Sequence, residues 1–128
     1  MTTILVVEDE ASIRTILERR LTSEGYQVIT ACDGASAVAT ARTAQPDLIL
    51  MDMGLPVLNG WQATHRIKTR PETNAIPIIA LTAYAFKEDQ DKCFAVGCDE
   101  YESKPIDFPR LFGKIQVLLN RTPQDHAG

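Results

Sequence analysis

The chain has 128 residues, of which 45% are hydrophobic and 23% are charged, as is ordinary for one globular domain with a sizeable core. Thirteen lysines and arginines against seventeen aspartates and glutamates give a net charge of −4 without a long basic run, which argues against direct binding of nucleic acid. The N-terminal apolar segment, residues 4–7, is too short for a signal peptide or a membrane span, so we expect a cytoplasmic protein. The three cysteines, Cys32, Cys93 and Cys98, lack metal-ligand spacing and are expected to be buried free thiols.

Five short apolar runs alternate with segments of helical periodicity along the chain. The runs cover residues 3–8, 26–31, 47–52, 77–82 and, more weakly, 99–103. This alternation predicts βαβ units, and therefore a parallel sheet with right-handed crossovers and five helices. Because the first, third and fourth runs are the most continuously apolar, we expect these strands in the centre of the sheet. The prediction is a doubly wound α/β fold of the flavodoxin-like type with strand order 2-1-3-4-5.

Turn residues and helix caps set the ends of the predicted helices. In chain order, the expected caps and stops are Gly25 after the first helix, Asp33 and Pro46 around the second, Asn59 before the third, Gly97 after the fourth and Asp107 before the fifth. The expected core stripes are Ile13, Ile16, Leu17 and Leu21 in the first helix and Leu111, Ile115, Leu118 and Leu119 in the fifth. Trp61, in the third helix, is interpreted as a core residue. Residues 122–128 carry no pattern and are expected to be a frayed tail, which leaves one domain over residues 1–121.

The most informative carboxylate ends the third run. Residues 48–51 are all apolar and Asp52 follows them, so this aspartate is expected at the end of a buried strand, because a core cannot hold an unpaired charge. Pro56 and the pair Asn59–Gly60 predict a short irregular loop before the next helix. Taken alone, such an aspartate more often only terminates a strand.

Other polar side chains stand where the remaining strands end. Parallel strands present their carboxyl ends at one edge of the sheet, where sites form near the switch point between the first and third strands. The residues at this edge are Glu8, Asp9 and Glu10 after the first strand, Asp52 after the third, Thr82 and Ala83 after the fourth, and Ser103, Lys104 and Pro105 after the fifth. We therefore expect them to converge on one rim.

Clustered acids together with an ammonium and a hydroxyl group favour phosphoryl chemistry. Glu8, Asp9 and Asp52 would repel one another unless a cation joined them, and Mg²⁺, or Mn²⁺ in its place, accepts such oxygen ligands. A backbone carbonyl within residues 53–55 would complete the set, and Glu8 would bind directly or through water. Lys104 and Thr82 suit phosphoryl oxygens, and Ala83 leaves room for them, so Asp52 is the candidate nucleophile toward phosphorus.

These motifs resemble the receiver domain of two-component response regulators. The resemblance lies in the acidic pair Glu8–Asp9, in residues 52–60, which read D-M-G-L-P-V-L-N-G, in Thr82–Ala83 and in Lys104–Pro105. It runs in the family's order from residue 2 to about residue 120. One departure is Glu8, since many receivers carry aspartate there.

The resemblance implies a role for each matched residue. Asp52 would be the phosphoacceptor, Glu8 and Asp9 the acidic pocket, and the Gly54 carbonyl a further ligand of Mg²⁺. Thr82, Ala83 and Lys104 would contact the phosphoryl group, and the peptide bond before Pro105 is a candidate for the cis form. Tyr101 would be the switch aromatic coupled to Thr82, so that phosphorylation reshapes the surface formed by helix four, strand five and helix five.

Two further positions, Gly54 and Tyr84, tune hydrolysis in the family, and here we expect a long-lived phosphoryl group with Tyr84 as a shield. The implied partners are a sensor histidine kinase or a histidine phosphotransfer protein as donor and a downstream protein as target. On this interpretation the chain is a signalling protein rather than an enzyme, and we expect no output domain within it.

Three alternatives share parts of this pattern. A flavodoxin-type module has the same sheet order, but Glu8, Asp9 and Glu10 would repel the phosphate of FMN. A phosphatase of the haloacid-dehalogenase type needs an acid two residues after its nucleophile, where Gly54 stands. A degenerate receiver that binds partners without phosphorylation is the third, and the intact set of acids, threonine and lysine argues against it.

Overall fold

Five parallel strands form one sheet in the order β2-β1-β3-β4-β5, and a helix follows each of them. The computed structural model describes residues 1–83 and 86–121. The strands are β1 (Thr3–Val7), β2 (Gln27–Ala31), β3 (Leu48–Asp52), β4 (Ile78–Thr82) and β5 (Glu100–Ser103). The helices are α1 (Ala11–Ser23), α2 (Gly34–Ala44), α3 (Gly60–Lys68), α4 (Lys87–Ala95) and α5 (Phe108–Leu119). The predicted doubly wound fold and its strand order are confirmed.

The core consists of two apolar layers, one on each face of the sheet. Successive side chains of a strand point to opposite faces, so β1 sends Leu5 and Val7 to one layer and Ile4 and Val6 to the other. The first layer packs against α2, α3 and α4, and the second against α1 and α5. Every residue of β3 and β4 is buried, as the continuous apolar runs predicted for central strands.

Helix starts follow the predicted caps. The Asn59 side chain accepts a hydrogen bond from the N–H of Gln62 at 2.9 Å, and the Gln62 side chain accepts one from the N–H of Asn59 at 3.1 Å, which forms a capping box. The Asp33 and Asp107 side chains cap α2 and α5 by accepting a hydrogen bond from the backbone N–H three residues ahead. These caps set the points at which α2, α3 and α5 leave the edge of the sheet.

Three expectations about individual residues are wrong. Ile16 is 50% exposed, because α1 buries only a narrow stripe that contains Leu17 and Leu21. Cys32 is exposed rather than buried, since it comes directly after the edge strand β2, whereas Cys93 and Cys98 are buried free thiols as expected. Pro77 lies before β4 rather than within it, and β4 begins at Ile78.

Among residues 1–83 and 86–121, every helix is too short or too polar to cross a bilayer. The expected frayed tail, residues 122–128, lies outside the described residues. The cytoplasmic location stays a prediction.

Candidate functional site

The three predicted acids meet at the carboxyl ends of β1 and β3. Val7 pairs with Met51 across the two strands, so the next residues along each, Glu8 and Asp52, stand side by side at this edge of the sheet. Carboxylate oxygens of Glu8, Asp9 and Asp52 lie within 4.8 Å of one another. The predicted convergence of these acids on one rim is therefore confirmed.

Lys104 brings a cation to the same rim from the edge of the sheet. Its backbone N–H donates to the Thr82 carbonyl at 2.8 Å, which holds the start of the β5–α5 loop beside the end of β4. Its Nζ lies 3.0 Å from Glu8 Oε1 and 3.5 Å from Asp52 Oδ1. The peptide bond between Lys104 and Pro105 is cis, as the sequence suggested. Two acids and one lysine thus share a single ion cluster.

The pKa values of the two buried acids of this cluster shift in opposite directions. Burial, reinforced by the neighbouring Asp52, raises the pKa of Glu8 to about 7 even though Lys104 opposes the shift. Burial alone would raise the pKa of Asp52 as well, but interactions with Glu8, the Gly54 N–H and Lys104 hold that pKa below its ordinary value. Asp52 is therefore the carboxylate of the pair that stays ionised at neutral pH.

The acid cluster fits a hard divalent cation. Glu8 is completely buried, yet its Oε2 has no hydrogen-bond partner within the part of the chain that the structure describes. A buried carboxylate oxygen without a partner is costly, and a metal ion would satisfy it. Three carboxylates with only oxygen donors suit Mg²⁺. The residues present thus fit the ion that the sequence predicts.

A cavity of about 320 Å³ opens beside this cluster. It is lined by Asp52, Met53, Gly54, Trp61, Thr82, Ala83 and Lys104. The Gly54 N–H donates to Asp52 Oδ1 at 3.1 Å and orients the carboxylate. Since one water occupies roughly 30 Å³, the cavity has room for a phosphoryl group and several waters. The predicted contacts Thr82, Ala83 and Lys104 all border it.

One predicted residue lies away from the cavity, and another falls outside the described residues. Tyr101 stands on β5, outside the cavity lining, where its ring makes an edge contact with Phe94 at a centroid distance of 6.1 Å. The Nζ of Lys114 lies 4.9 Å from the centroid of the same ring. Tyr84, the expected shield, lies outside the described residues.

Trp61 was missed by the sequence analysis. It was interpreted as core, and it does pack against the core layer that contains Ile67, but it is only partly buried and also borders the cavity. Helical periodicity carries no information about this contact, because the approach of α3 to the loop after β3 is a tertiary feature.

A doubly wound sheet with clustered acids, threonine and lysine at the switch-point rim defines the receiver class of signalling domains. The family model of the response regulator receiver domain matches residues 4–116, and the chain belongs to that family.

Curated relatives agree with this assignment. The chain is 37% identical over 116 residues to the polar-differentiation response regulator DivK of Brucella anthropi, covering 91% of this chain and 94% of DivK. It is 36% identical over 118 residues to the phosphate regulon transcriptional regulatory protein PhoB of Rhizobium meliloti, covering 92% of this chain and 52% of PhoB. The chain therefore spans about half the length of that PhoB.

Solved structures agree as well. The receiver domain of the sensor histidine kinase PA1611 from Pseudomonas aeruginosa PAO1, which has a magnesium ion coordinated in its active site cleft, is 38% identical with a TM-score of 0.87. That match covers 94% of this chain and 98% of the other. The chemotaxis response regulator CheY4 of Vibrio cholerae is 31% identical with a TM-score of 0.86, over 92% of this chain and 98% of CheY4.

Proposed function

We propose that this chain is the phosphoacceptor of a two-component or phosphorelay pathway, in which Asp52 receives a phosphoryl group from a phosphohistidine. The donor is a sensor histidine kinase or a histidine phosphotransfer protein. The observation that carries the proposal is the position of the Asp52 carboxylate. It borders a cavity, with the Lys104 ammonium 3.5 Å away and two further acids close enough to share a metal ion. The chain acts on its own side chain and is a signalling protein rather than an enzyme.

Transfer begins with the ionised Asp52. One Asp52 Oδ attacks phosphorus, an O–P bond forms, the N–P bond of the phosphoimidazole breaks, and the imidazole nitrogen keeps the electron pair and takes a proton from solvent. Lys104 exchanges its contact with Asp52 for a phosphoryl oxygen, and the Thr82 hydroxyl donates to another. Asp9, Asp52, the Gly54 carbonyl and Glu8 would hold Mg²⁺, or Mn²⁺, and the ion when bound would supply positive charge beside these oxygens.

An apolar groove beside Lys104 supports a protein as the donor. The groove of about 290 Å³ is lined by Ile13, Ile16, Leu17, Lys104, Pro105, Ile106 and Phe108. Because Lys104 borders both this groove and the phosphoryl cavity, a partner seated in the groove brings its phosphohistidine within reach of Asp52. The exposed apolar side chain of Ile16 would then be buried against the partner.

The output of the proposed switch is a change in the surface formed by α4, β5 and α5. Thr82 moves toward the phosphoryl group and Tyr101 takes up the released space. Tyr101 contacts Phe94 of α4 and lies under Lys114 of α5, so movement of its ring changes the contacts of both helices. Phosphorylation shifts the population toward the conformer that a downstream protein binds, limited by how much better that conformer holds the phosphoryl group.

Phosphorylation in vitro tests the central claim. The protein is incubated with Mg²⁺ and acetyl phosphate and its intact mass is measured; we expect one added phosphoryl group that EDTA prevents and that Asp52→Asn lacks. An unmodified wild-type mass would refute the proposal and favour a receiver that binds partners without phosphorylation.

The donor groove has a separate test. Ile16→Asp should slow transfer from a phosphohistidine protein about tenfold by weakening docking, while leaving the acetyl phosphate reaction unchanged. Val117→Asp, an equally polar change at another exposed apolar residue outside the groove, is the matched control. Equal transfer rates for Ile16→Asp and Val117→Asp would exclude this groove as the donor site.

A further inference from the structure

Trp61, the single tryptophan of the sequence, owes its place in the cavity wall to Gly60. Gly60 begins α3, and its N–H donates to the Met53 carbonyl at 3.2 Å. A Cβ on Gly60 would overlap the carbonyl oxygen of Asp52 and the Cα of Met53, so only glycine allows α3 to start this close to the strand end. The next residue, Trp61, is therefore held beside Asp52.

The indole of Trp61 also contacts α4. The Nζ of Lys92 lies 4.5 Å from the centroid of the indole ring, within cation–π distance. Trp61 also lines a shallow depression together with Gln62, His65, Arg66 and Val96. Trp61 therefore borders both this depression and the phosphoryl cavity.

We propose that Trp61 shields the aspartyl phosphate from water and that Lys92 is a positioning residue that holds the indole in the cavity wall. This inference rests on the proposed function of Asp52 and concerns how long its phosphoryl group lasts. It makes Trp61 a determinant of the duration of the signal.

Hydrolysis is the reaction that the shield slows. A water oxygen attacks phosphorus, the new O–P bond forms as the P–O bond to Asp52 breaks, the electron pair returns to the carboxylate, and inorganic phosphate leaves while one proton goes to solvent. An indole ring face takes up space in the cavity and offers no acceptor that could orient such a water. Gly54 and Ala83, also in the lining, carry no polar side chain either. Removing the ring opens this wall to solvent.

Lys92 contributes because Trp61 is only partly buried. Packing alone does not fully enclose the ring, and the ammonium over its face restrains it from turning outward. Lys87 lies on the same helix, is exposed, and makes no cation–π contact among the described residues. It is therefore a matched control for the loss of one positive charge from α4.

Decay of the phosphoryl group tests the proposal. Each protein is phosphorylated with acetyl phosphate and Mg²⁺, freed of donor by desalting, and followed by intact mass. Trp61→Ala should lose its phosphoryl group about fivefold faster than wild type, and Trp61→Phe, which keeps an aromatic wall, should stay within about twofold. Trp61→Leu replaces Trp61→Ala in the comparison if the circular dichroism of the latter shows unfolding.

The positioning role of Lys92 is measured in the same assay. Lys92→Met should shorten the phosphoryl lifetime about twofold, whereas Lys87→Met should match wild type. Equal lifetimes of these two variants would overturn the role of Lys92. A lifetime of Trp61→Ala equal to or longer than that of wild type would overturn the shield.

The assay separates failure of the shield from failure of the proposed function. A wild-type protein that accepts no phosphoryl group overturns both, whereas normal phosphorylation with equal decay rates overturns the shield alone. As a second measurement, the fluorescence of the single tryptophan should change when acetyl phosphate is added to wild type already saturated with Mg²⁺, but change less when it is added to Asp52→Asn under the same conditions. Identical changes in both proteins would contradict contact between the indole and the phosphoryl group.

Discussion

Glu8 and Glu102 are both completely buried carboxylates next to a lysine, and their surroundings differ sharply. Glu102, on β5, accepts hydrogen bonds from Arg110 Nε and Nη2 at 3.0 and 2.7 Å and from Lys114 Nζ at 3.0 Å. Glu8 accepts one from Lys104 Nζ at 3.0 Å, and its second oxygen has no partner within the described residues. One acid is fully compensated and the other is not.

The pKa values of the two acids follow from this difference. Burial would raise the pKa of Glu102, but hydrogen bonds from Arg110 and Lys114 outweigh it and hold the pKa below its ordinary value. For Glu8 burial prevails and the pKa rises to about 7. The comparison teaches that a buried charge is structural where the protein supplies all of its partners. A buried charge that lacks a partner within the protein marks instead a candidate site for a ligand.

The largest expected effect is on Glu102. Glu102→Gln should lower the free energy of unfolding by about 3 kcal/mol, because the carboxylate charge that compensates Arg110 and Lys114 is lost while both cations remain. Urea unfolding monitored by circular dichroism measures this. An unfolding free energy equal to that of wild type would show that the Glu102 network contributes nothing to stability.

The opposite sign is expected at Glu8. In EDTA at pH 8, Glu8→Gln should raise the free energy of unfolding by about 2 kcal/mol, since it removes a buried acid that is costly to ionise and keeps an acceptor for Lys104. Mg²⁺ should stabilise wild type by mass action and stabilise Glu8→Gln less. Thermal unfolding with and without Mg²⁺ checks both statements. Destabilisation by Glu8→Gln in EDTA would mean that Glu8 is structural, like Glu102.

The pH dependence of stability sharpens the contrast further. Because the folded pKa of Glu102 lies below its ordinary value of 4.5, the unfolded chain binds more protons between the two values, and the stabilisation is lost as pH falls. The stability difference between wild type and Glu102→Gln should be constant above about pH 5 and should shrink as the pH falls toward about 2.5. Urea titrations across this range measure it, and a difference that grows on acidification would reverse the assignment.

The smallest effect is expected at Lys114. Lys114→Met leaves the two hydrogen-bonding nitrogens of Arg110 on Glu102, so the free energy of unfolding should fall by less than about 1 kcal/mol. Lys104→Met, by contrast, removes the only hydrogen-bond donor to the Glu8 carboxylate within the described residues, so it should lower the free energy of unfolding by more than Lys114→Met does and should also abolish phosphorylation by acetyl phosphate. Equal stability losses in the two variants would indicate that Glu8 has further partners.

Most of the fold was predictable because its signals are local. The continuous burial of β3 and β4 appears in the sequence as unbroken apolar runs, and the caps at Asp33, Asn59 and Asp107 depend on residues three positions away. The exposure of Ile16, at the margin of the buried stripe of α1, and of Cys32, after the edge strand β2, was not predicted. Whether a neighbouring element covers such a side chain depends on tertiary packing, which the sequence pattern does not record.

The sequence by itself determined the strand order, the position of Asp52 at a strand end and the set of acids, hydroxyl and amine that meets there, because parallel strands send their carboxyl ends to one edge. Only the tertiary structure decided that Trp61 borders the cavity and that Glu102 is compensated while Glu8 is not. Those contacts join residues far apart in the chain, and their distances depend on how helices pack against the sheet. No periodicity or spacing in the sequence records that packing.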